Sequence, residues 1–433
     1  MTFLSLPDDL AMPEPVVISL GCRLNLAESE TIRAINSGDR GGRPLVVVNS
    51  CAVTNTAVAQ TRAAIRRARR SHPQAEIAVT GCAAQIDPAS FATMPEVDRV
   101  IGNADKLNAV AWASADPVVV QDIMAVRTTA PHLAQSFADH VRAFVEVQNG
   151  CDHRCTFCAI PFGRGNSRSV PAGAVVDRVA ALVAAGHREV VLTGVDLTSY
   201  GPDLPGAPTL AMLVERILRH VPGLARLRLS SLDSIEIDDR LFALLTGEAR
   251  VMPHVHLSLQ AGDDMILKRM KRRHSRADAI RLVERLKARR PDIAIGADLI
   301  AGFPTEDEAM FANTLALIDA CDIVHAHIFP YSPRTRTPAA RMPQVAAPLR
   351  KARAAALRNA SAQRREAWLK TLVGSRQSVL VERPGTRGHA GNFADIAFDP
   401  APVGSIQTVL VTGVANGGLT GGVISTPNVA AVA

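Results

Sequence analysis

The residues with the clearest chemical potential are three cysteines in the stretch NGCDHRCTFCAIPFGRGNSRSV, at positions 149–170. Cys151, Cys155 and Cys158 follow the spacing C-x3-C-x2-C. Thiolates favour zinc, copper(I) or iron–sulfur clusters, and a 4Fe–4S cluster usually has four cysteine ligands. Three ligands would leave one iron open to a substrate or cofactor. A structural zinc site needs four protein ligands, and His153, which lies between the cysteines, is poorly placed to be the fourth.

Three further cysteines recur at the same phase of a repeat in the N-terminal third. The strand-like runs VVISLGC, LVVVNSC and AEIAVTGC end at Cys22, Cys51 and Cys82. Helix-like segments lie between them, which predicts βαβ units around a parallel sheet. Because ligands of open α/β sheets gather at the carboxyl ends of the strands, we expect these cysteines to converge. Three thiolates with one open position indicate an iron–sulfur cluster better than a structural zinc ion.

The loop with Cys151 follows the strand-like segment RAFVEVQNG and precedes a helix-like one. Loops after the strands of an α/β barrel carry its chemistry. About six β/α units are predicted, fewer than in a full barrel, and an incomplete barrel leaves a lateral opening for a large substrate. Polar residues at the ends of these strands are candidate site residues, although each could be a cap or turn former: Gly194, Asp196, Ser230, Gln260 and Asp298.

The composition is that of a soluble globular protein of several domains. The chain has 433 residues, of which 47% are hydrophobic and 21% charged, with a net charge of +7. We expect no export signal, no membrane span and a cytoplasmic location. In that reducing compartment seven cysteines favour metal or redox chemistry over disulfides. The seventh, Cys321, is expected to be a core residue.

The C-x3-C-x2-C motif, with Phe157 before its last cysteine, resembles the signature of radical S-adenosylmethionine (SAM) enzymes. In that family the amino and carboxylate groups of SAM occupy the fourth iron. From about residue 15 to about residue 425 the chain resembles the methylthiotransferases, enzymes that transfer a sulfur-containing group. The motifs that carry this resemblance are GCRLNLAESE, NSCAVT, TGCAAQ, SLQAGDD, DLIAGFPTEDE, FPYSPRTRTPAA and RQSVLVERPGTRGHAGNFADIAF.

The resemblance implies an α/β protein of three domains. These are an N-terminal parallel-sheet methylthiotransferase domain (1–125), a partial (β/α)6 radical SAM barrel (138–368) and a small all-β TRAM barrel (370–433).

It also implies two 4Fe–4S clusters. One is held by Cys151, Cys155 and Cys158, the radical triad, and cleaves SAM to a 5′-deoxyadenosyl radical. The other is held by Cys22, Cys51 and Cys82, the auxiliary triad, and carries a sulfur that a second SAM methylates. Residues expected to bind the cofactor are Phe157, Gly194, Asp196, Ser230, Gln260 and Asp298.

The family has three substrate branches, and the sequence favours one of them. GCRLNLAESE looks most like the branch that acts on C2 of N6-threonylcarbamoyladenosine at position 37 of tRNA. The alternatives are N6-isopentenyladenosine 37 and an aspartate of a ribosomal protein. A more distant alternative is a non-enzymatic RNA-binding iron–sulfur protein. The expected partners are a tRNA anticodon loop and an electron donor such as flavodoxin or ferredoxin.

Two basic runs could contact RNA phosphates, which add affinity that depends on salt but not on sequence. They are RAAIRRARR at 62–70 and KRMKRRHSR at 268–276. Either run could also be a solvated helix face. The second run, inside the predicted barrel, is the stronger candidate, since residues 370–433 are nearly neutral.

Overall fold

The computed structural model describes residues 14–38, 43–128 and 141–424, which form two compact units. Of the described residues, the first unit comprises 14–38, 43–126 and 162–164, and the second comprises 127–128, 141–161 and 165–424. Most of the N-terminal segment in which we expect no export signal lies outside the described residues. None of the helices in the described ranges is long and apolar enough to cross a membrane.

The first unit is built on a parallel sheet of five strands in sequential order. The strands are β1 (Val16–Ser19), β2 (Leu45–Ser50), β3 (Glu76–Gly81), β4 (Arg99–Ile101) and β5 (Val118–Val119). The helices are α1 (Arg23–Ile35), α2 (Asn55–Ser71), α3 (Cys82–Ile86), α4 (Pro88–Ala92) and α5 (Ala109–Ala113), followed by a 3-10 turn at Ile123–Ala125. This order confirms the predicted βαβ arrangement.

Strand β2 is buried along its whole length because helices cover both faces of the sheet. Val46 and Val48 contribute to a core shared with Ile65 of α2. Val47 contributes to a second core shared with Ile32 of α1. The continuous run of β-branched residues in LVVVNS is therefore what a central parallel strand requires.

The second unit contains the predicted partial barrel of parallel strands. Its strands are β6 (Arg142–Asn149), β7 (Arg168–Ser169), β8 (Glu189–Gly194), β9 (Arg226–Leu229), β10 (Ser231–Leu232), β11 (His254–Gln260), β12 (Ala294–Ala301) and β13 (Ile323–Pro330). They form two sheets, ordered β7-β6-β8-β9 and β10-β11-β12-β13. The chain passes from one sheet to the other at Ser230, and β7 runs antiparallel to β6. The other seven strands give the six parallel positions expected from the sequence, because β9 and β10 are separated only by Ser230 and count as one position.

Helices connect these strands. They are α6 (Ile160–Arg164), whose last three residues belong to the first unit, and α7 (Ala172–Ala184), α8 (Leu210–His220), α9 (Asp239–Gly247), α10 (Asp264–Met270), α11 (Arg276–Arg289), α12 (Glu308–Ala320) and α13 (Ala347–Thr371). Polar caps define several starts, since the Thr209 hydroxyl accepts a bond from Met212 N and Ser275 forms a capping box with Asp278. Cys321 is the C-cap of α12 and is fully buried, as expected of a core residue.

A closed five-stranded barrel ends the described chain. Its strands are β14 (Arg376–Glu382), β15 (Arg387–Ala390), β16 (Asp395–Ala397), β17 (Ile406–Ala415) and β18 (Gly418–Val423). Its core includes Trp368 and Leu369 of α13 and Val324 of β13, so the barrel is packed within the second unit. The small C-terminal β-barrel is thus confirmed, while the division at residues 125, 138, 368 and 370 stays a prediction.

Candidate functional site

The auxiliary triad lies at the carboxyl edge of the first unit's sheet. Cys22 is the N-cap of α1, Cys51 directly follows β2, and Cys82 begins α3 directly after β3. Cys51 and Cys82 are buried and Cys22 is exposed. Gly21 has a φ of +102°, and a Cβ at this position would lie 2.8 Å from Cys51 Sγ. A glycine is therefore required where the loop after β1 approaches the second cysteine.

Buried polar side chains hold the ends of these strands together. Asn25 Nδ2 donates to the backbone oxygens of Leu20, at 2.7 Å, and Ser50, at 3.0 Å. Ser50 Oγ accepts bonds from the backbone nitrogens of Ala83 and Ala84, both at 3.2 Å. These bonds fix the loops that carry Cys22, Cys51 and Cys82 relative to one another.

The cysteines of the auxiliary triad influence one another electrostatically. Burial, together with the charges of Cys82 and Cys22, raises the pKa of Cys51 to about 11, although the Val53 backbone N–H acts in the opposite direction. Protein atoms around the Cys22 sulfur likewise desolvate the thiolate and raise the pKa of Cys22, although part of the residue is exposed. Without metal the thiols of Cys22 and Cys51 hold their protons at neutral pH, so metal binding must release them.

The radical triad is held in a loop that leaves the carboxyl end of β6. Gly150 has a φ of +73°, and a Cβ there would lie 1.9 Å from Asn166 O. Cys151 N donates to Gly165 O at 3.1 Å, and Cys158 N donates to Cys155 O at 3.1 Å. Thr156 Oγ1, between two of the cysteines, donates to Arg269 O at 2.7 Å. The backbone of the cysteine loop is thus fixed by bonds that need no metal.

The spread of the sulfur atoms distinguishes between a single ion and a cluster. Among the described residues, the groups whose ligand atoms lie within 4.8 Å of one another are His256–Asp298–His327 and His153–Asp196–Glu236, and neither cysteine triad is among them. Two sulfurs on one zinc ion, with bonds of about 2.3 Å each, cannot be further apart than about 4.6 Å. In each triad at least one pair of sulfur atoms is therefore more than 4.8 Å apart, a separation that an iron–sulfur cluster can span.

The predicted cofactor-binding residues occupy different parts of the second unit. Asp196 Oδ2 lies 3.7 Å from Cys151 Sγ, and its backbone N–H donates to Gln148 Oε1 at 2.9 Å. Gly194, at the end of β8, lies close to the same glutamine, because a Cβ on it would be 2.9 Å from Gln148 Oε1. Phe157 instead packs edge-on against Phe303, with ring centroids 6.5 Å apart. Of these residues, Asp196 is the one bonded to a cysteine of the radical triad.

The other three lie further along the strand ends. Ser230, between β9 and β10, is buried, and no hydrogen-bond partner for its Oγ exists among the described residues. A buried hydroxyl without a partner is costly unless a ligand satisfies it. Gln260 ends β11 with a φ of +69°. Asp298 on β12 accepts from His256 Nε2 at 3.1 Å and His327 Nδ1 at 3.2 Å, so that the imidazoles outweigh burial and hold its pKa well below the usual range.

His153, which its spacing makes a poor fourth ligand, is bonded to acidic residues beside the radical triad. Its Nε2 lies 2.9 Å from Asp196 Oδ2 and 3.6 Å from Glu236 Oε1. Hydrogen bonds to Asp196 and Glu236 raise the pKa of His153 to about 10, although burial opposes them. The imidazolium therefore neutralises a carboxylate beside Cys151. The spacing inside the cysteine motif draws attention to His153, but nothing local to it identifies Glu236 as a partner.

Arg272 also lies at the radical triad. Its Nη1 is 3.8 Å from Cys155 Sγ, while Nη2 donates to Asp233 Oδ2 at 3.1 Å and to Ser258 O at 2.8 Å. In the same basic run, Arg269 donates to Thr305 Oγ1 at 2.8 Å and Arg273 pairs with Glu236. Several cations that the sequence suggested for RNA phosphates are thus used within the second unit.

The side chains at the two triads therefore fit the two 4Fe–4S clusters and the SAM that the family resemblance implies. Each triad offers three sulfur ligands at the carboxyl ends of parallel strands, and Ser230 adds an unsatisfied buried hydroxyl in the second unit. Cationic side chains, Arg272 and His153, lie where the radical triad would carry negative charge.

Comparison with known proteins places this geometry in a family. The Radical SAM superfamily profile matches residues 145–318, and the uncharacterized protein family UPF0004 matches residues 15–102. The chain is 48% identical to a threonylcarbamoyladenosine tRNA methylthiotransferase (MtaB) of Rickettsia prowazekii, over 93% of this chain and 95% of the relative. A tRNA-2-methylthio-N(6)-dimethylallyladenosine synthase of Agrobacterium fabrum is 34% identical, over 84% and 86% of the two chains.

Among solved structures, the chain is similar to the radical SAM methyltransferase TsrM of Kitasatospora setae. The TM-score is 0.50 at 18% identity, over 72% of this chain and 66% of that one. A likeness at this identity concerns the fold alone. The sequence relatives decide the class, since the one from Rickettsia prowazekii matches 93% of this chain at 48% identity. The chain therefore belongs to the radical SAM methylthiotransferase family and is an enzyme of that class.

Proposed function

We propose that the enzyme transfers a methylthio group to C2 of N6-threonylcarbamoyladenosine at position 37 of tRNA, using two SAM molecules and two 4Fe–4S clusters. The observation that carries this substrate is the 48% identity, over 93% of the chain, to a relative whose name gives that nucleoside. Further relatives with the same name include those of Bacillus subtilis and Thermotoga maritima. The second candidate substrate is the isopentenyl nucleoside, which the 34% identical relative favours.

We propose three domains, 1–125, 138–368 and 370–433, and we assign different roles to the cysteine triads of the first two. Cys151, Cys155 and Cys158 would hold the cluster to which SAM binds. Bound there, cluster and SAM supply one-electron chemistry that can activate the unreactive C–H bond at C2. Cys22, Cys51 and Cys82 would hold the auxiliary cluster that carries the sulfur to be transferred. Gly194, Asp196, Gln260 and Asp298 would position SAM, with Phe157 supporting the loop through Phe303.

The side chains around the radical triad would control charge and access to water. The His153 imidazolium would hold the Asp196 carboxylate in place beside Cys151. The Ser230 hydroxyl, buried without a partner in the described chain, would donate to or accept from the bound cofactor. The adenine must leave its stack to react, at a cost of a few kcal/mol that is smallest in a single-stranded loop. An anticodon loop is such a substrate, and a cytoplasmic location with a flavodoxin or ferredoxin as electron donor accords with it.

The experiment that tests the substrate is mass spectrometry of tRNA nucleosides from cells with and without this gene, complemented by the intact gene. Loss of only the methylthio form of threonylcarbamoyladenosine is the expected result. Loss of the methylthio isopentenyl nucleoside would move the enzyme to the second substrate. If neither nucleoside changed, tRNA would be the wrong substrate, and the aspartate of the ribosomal protein would be measured next.

The division of labour between the triads is tested by cysteine variants of the reconstituted enzyme. Cys155→Ala should abolish the release of 5′-deoxyadenosine from SAM. Cys51→Ala should retain that release but transfer no sulfur. Cys321→Ala is the matched control, because this buried cysteine caps α12 and should change neither readout. Normal sulfur transfer by Cys51→Ala would rule out the auxiliary cluster as the sulfur source.

A further inference from the structure

A buried group of charged side chains lies beside the auxiliary triad, and no step of the proposed reaction uses it. Glu28, Lys106 and Arg164 are each at most 2% exposed. Arg164 Nη1 and Nη2 donate to the two oxygens of Glu28 at 2.9 Å and 3.0 Å. Lys106 Nζ donates to Glu28 Oε2 at 2.6 Å. Two cations therefore share one carboxylate in the interior of the first unit.

This group is poorly explained by stability alone. Removing charges from water costs several kcal/mol per ion, and a buried charge that is left without an opposite charge is strongly destabilising. Here the hydrogen-bonded group has one more positive charge than negative. The adjacent carboxylate of Asp105 bonds to the Gln121 side chain at 2.6 Å. An excess buried cation indicates that an anion is present nearby in the working protein.

The auxiliary triad is the anion that the geometry provides. Arg164 Nη2 donates to Asn25 Oδ1 at 2.6 Å, and the same oxygen lies 3.8 Å from Cys22 Sγ. The neighbouring residue Gly163 lies against Cys82, because a Cβ on it would be 3.1 Å from Cys82 Cβ. Asn103 Nδ2 bridges the two, at 2.5 Å from Gly163 O and 3.5 Å from Cys82 Sγ. Arg164 is thus placed between the first and third cysteines of the triad.

The charges of the proposed cluster match this excess. An oxidised 4Fe–4S core has two positive charges, so three thiolate ligands leave one net negative charge on the site. Together with Glu28, Lys106 and Arg164 the sum is zero. This charge balance rests on the proposed function, because it requires a 4Fe–4S cluster on Cys22, Cys51 and Cys82. It bears on the reduction potential of that cluster, which the proposed function does not specify.

We propose that Arg164, positioned by Glu28 and Asn25, compensates the charge of the auxiliary cluster and thereby raises its reduction potential. Net charge and hydrogen bonds near the sulfurs are what set the potentials of iron–sulfur clusters. When the cluster accepts one electron from a reductant, the site gains one negative charge and no proton moves. A buried cation stabilises that reduced state more than the oxidised one. Arg164 is a positioning and tuning residue and takes no part in bond making.

The test is a redox titration with dithionite, followed by electron paramagnetic resonance. The parent is the full chain with Cys151→Ala, Cys155→Ala and Cys158→Ala, so that only the auxiliary cluster contributes. Arg164→Met should lower the ratio of reduced to oxidised cluster at a fixed potential at least tenfold, a shift of about 59 mV for a one-electron couple. Arg164→Lys, which keeps the charge, should restore most of that ratio.

Variants that remove a negative or a positive charge should change the reduced fraction of the cluster in opposite directions, which a merely structural role does not predict. Glu28→Gln removes the negative charge and should raise the reduced fraction, whereas Lys106→Met should lower it. A structural role predicts lower melting temperatures for all these variants with no change in potential. If Arg164→Met fails to hold iron, the pair Glu28→Gln and Lys106→Met still decides the sign.

Two negative results have different meanings. A cluster whose potential is unmoved by the charge changes at positions 28, 106 and 164 would overturn this inference and leave the proposed function standing. A parent chain that binds no iron at all would overturn the auxiliary cluster and the inference with it.

Discussion

The imidazole of His153 lies 2.9 Å from the carboxylate of Asp196, which is itself 3.7 Å from the sulfur of Cys151. A residue inside the cysteine motif thus neutralises the acid closest to one of its thiols. Without this cation, an ionised Cys151 would face an ionised Asp196, and burial together with that carboxylate already raises the pKa of Cys151. His153 therefore prepares the site for a negatively charged cluster.

We expect His153→Asn to weaken cluster binding at the radical triad and SAM cleavage together. Loss of a residue that orients and neutralises a metal site typically lowers affinity or activity roughly ten- to hundredfold. Iron per chain and 5′-deoxyadenosine yield are the measurements. The control is His220→Asn, since His220 is exposed at the end of α8. Full iron occupancy and normal SAM cleavage in His153→Asn would mean that Asp196 needs no partner.

Acid should destabilise the second unit through Glu189. This buried carboxylate accepts from Arg228 Nε at 2.9 Å and Arg226 Nη1 at 3.4 Å. Burial alone would raise its pKa, but the arginines lower it from 4.5 to about 2. A lowered folded-state pKa stabilises the protein above pH 4.5, and this contribution, on the order of 3 kcal/mol, is lost as the pH falls from 4.5 towards 2.

Denaturant unfolding at a series of pH values checks this. Glu189→Gln should be less stable than the parent at pH 7 and should lose less stability on acidification. Glu14→Gln, at an exposed position, should follow the parent curve. If the free energy of unfolding of the parent and of Glu189→Gln fell in parallel as the pH decreased, Glu189 would not be the cause of the acid destabilisation.

Gly81 should be indispensable for the auxiliary site. Its φ is +94°, and a Cβ there would lie 2.4 Å from Ser50 O and 2.5 Å from Ser50 N. Gly81→Ala would push β3 away from β2 at the point where Cys82 begins. We expect loss of iron from the auxiliary triad and normal SAM cleavage by the radical triad.

Gly186→Ala is the matched control, because it introduces the same unfavourable backbone conformation without a steric clash. Gly186 has a φ of +97°, but nothing lies within 4 Å of an added Cβ. The backbone strain alone costs about 1–3 kcal/mol, and iron content should be unchanged. Equal iron loss in both variants would trace the effect to general instability.

Exposed arginines of α2 should contact tRNA phosphates. Arg69 is bound to Asp98 at 2.5 Å and Arg62 to Ser90 Oγ at 2.9 Å, whereas Arg67 and Arg70 are exposed. The double variant Arg67→Gln, Arg70→Gln should weaken tRNA binding and reduce the slope of log affinity against log salt by about two. Fluorescence anisotropy with labelled tRNA across a potassium chloride series measures both.

The exposed lysines of α10 and its C-cap serve as the comparison. Lys268→Gln, Lys271→Gln removes the same number of charges from the other basic run. If the slope of log affinity against log salt fell for this variant and stayed unchanged for the α2 variant, the phosphate contacts would lie in 268–276 and not in α2.

The sequence was most informative where chemistry depends on local pattern. The apolar runs before Cys22, Cys51 and Cys82 predict strands, and parallel strands must bring their carboxyl ends to one edge. The motif around Cys151 is equally local. The capping box of Ser275 and Asp278 at the start of α11 is likewise a pattern of residues close together in the sequence.

Charge partners could not be predicted in this way. Arg164 meets Glu28 across 136 residues of sequence, and Arg272 approaches Cys155 across 117. Arg272 belongs to the basic run 268–276, which composition alone describes as a surface for phosphates. Only the packing of the chain shows that these cations are buried beside thiols, and burial decides whether a cation serves RNA or a cluster.

The short antiparallel strand β7 has a further consequence for the loop of the radical triad. It pairs with β6 through Gln148 and Ser169 and through Asn149 and Arg168, so the two ends of the cysteine segment are joined at its base. The entropic cost of closing this loop is therefore met when the polypeptide folds, and iron binding does not have to offset it. Iron should then enter a preformed ring of ligands, with an association rate governed by thiol deprotonation and not by chain ordering.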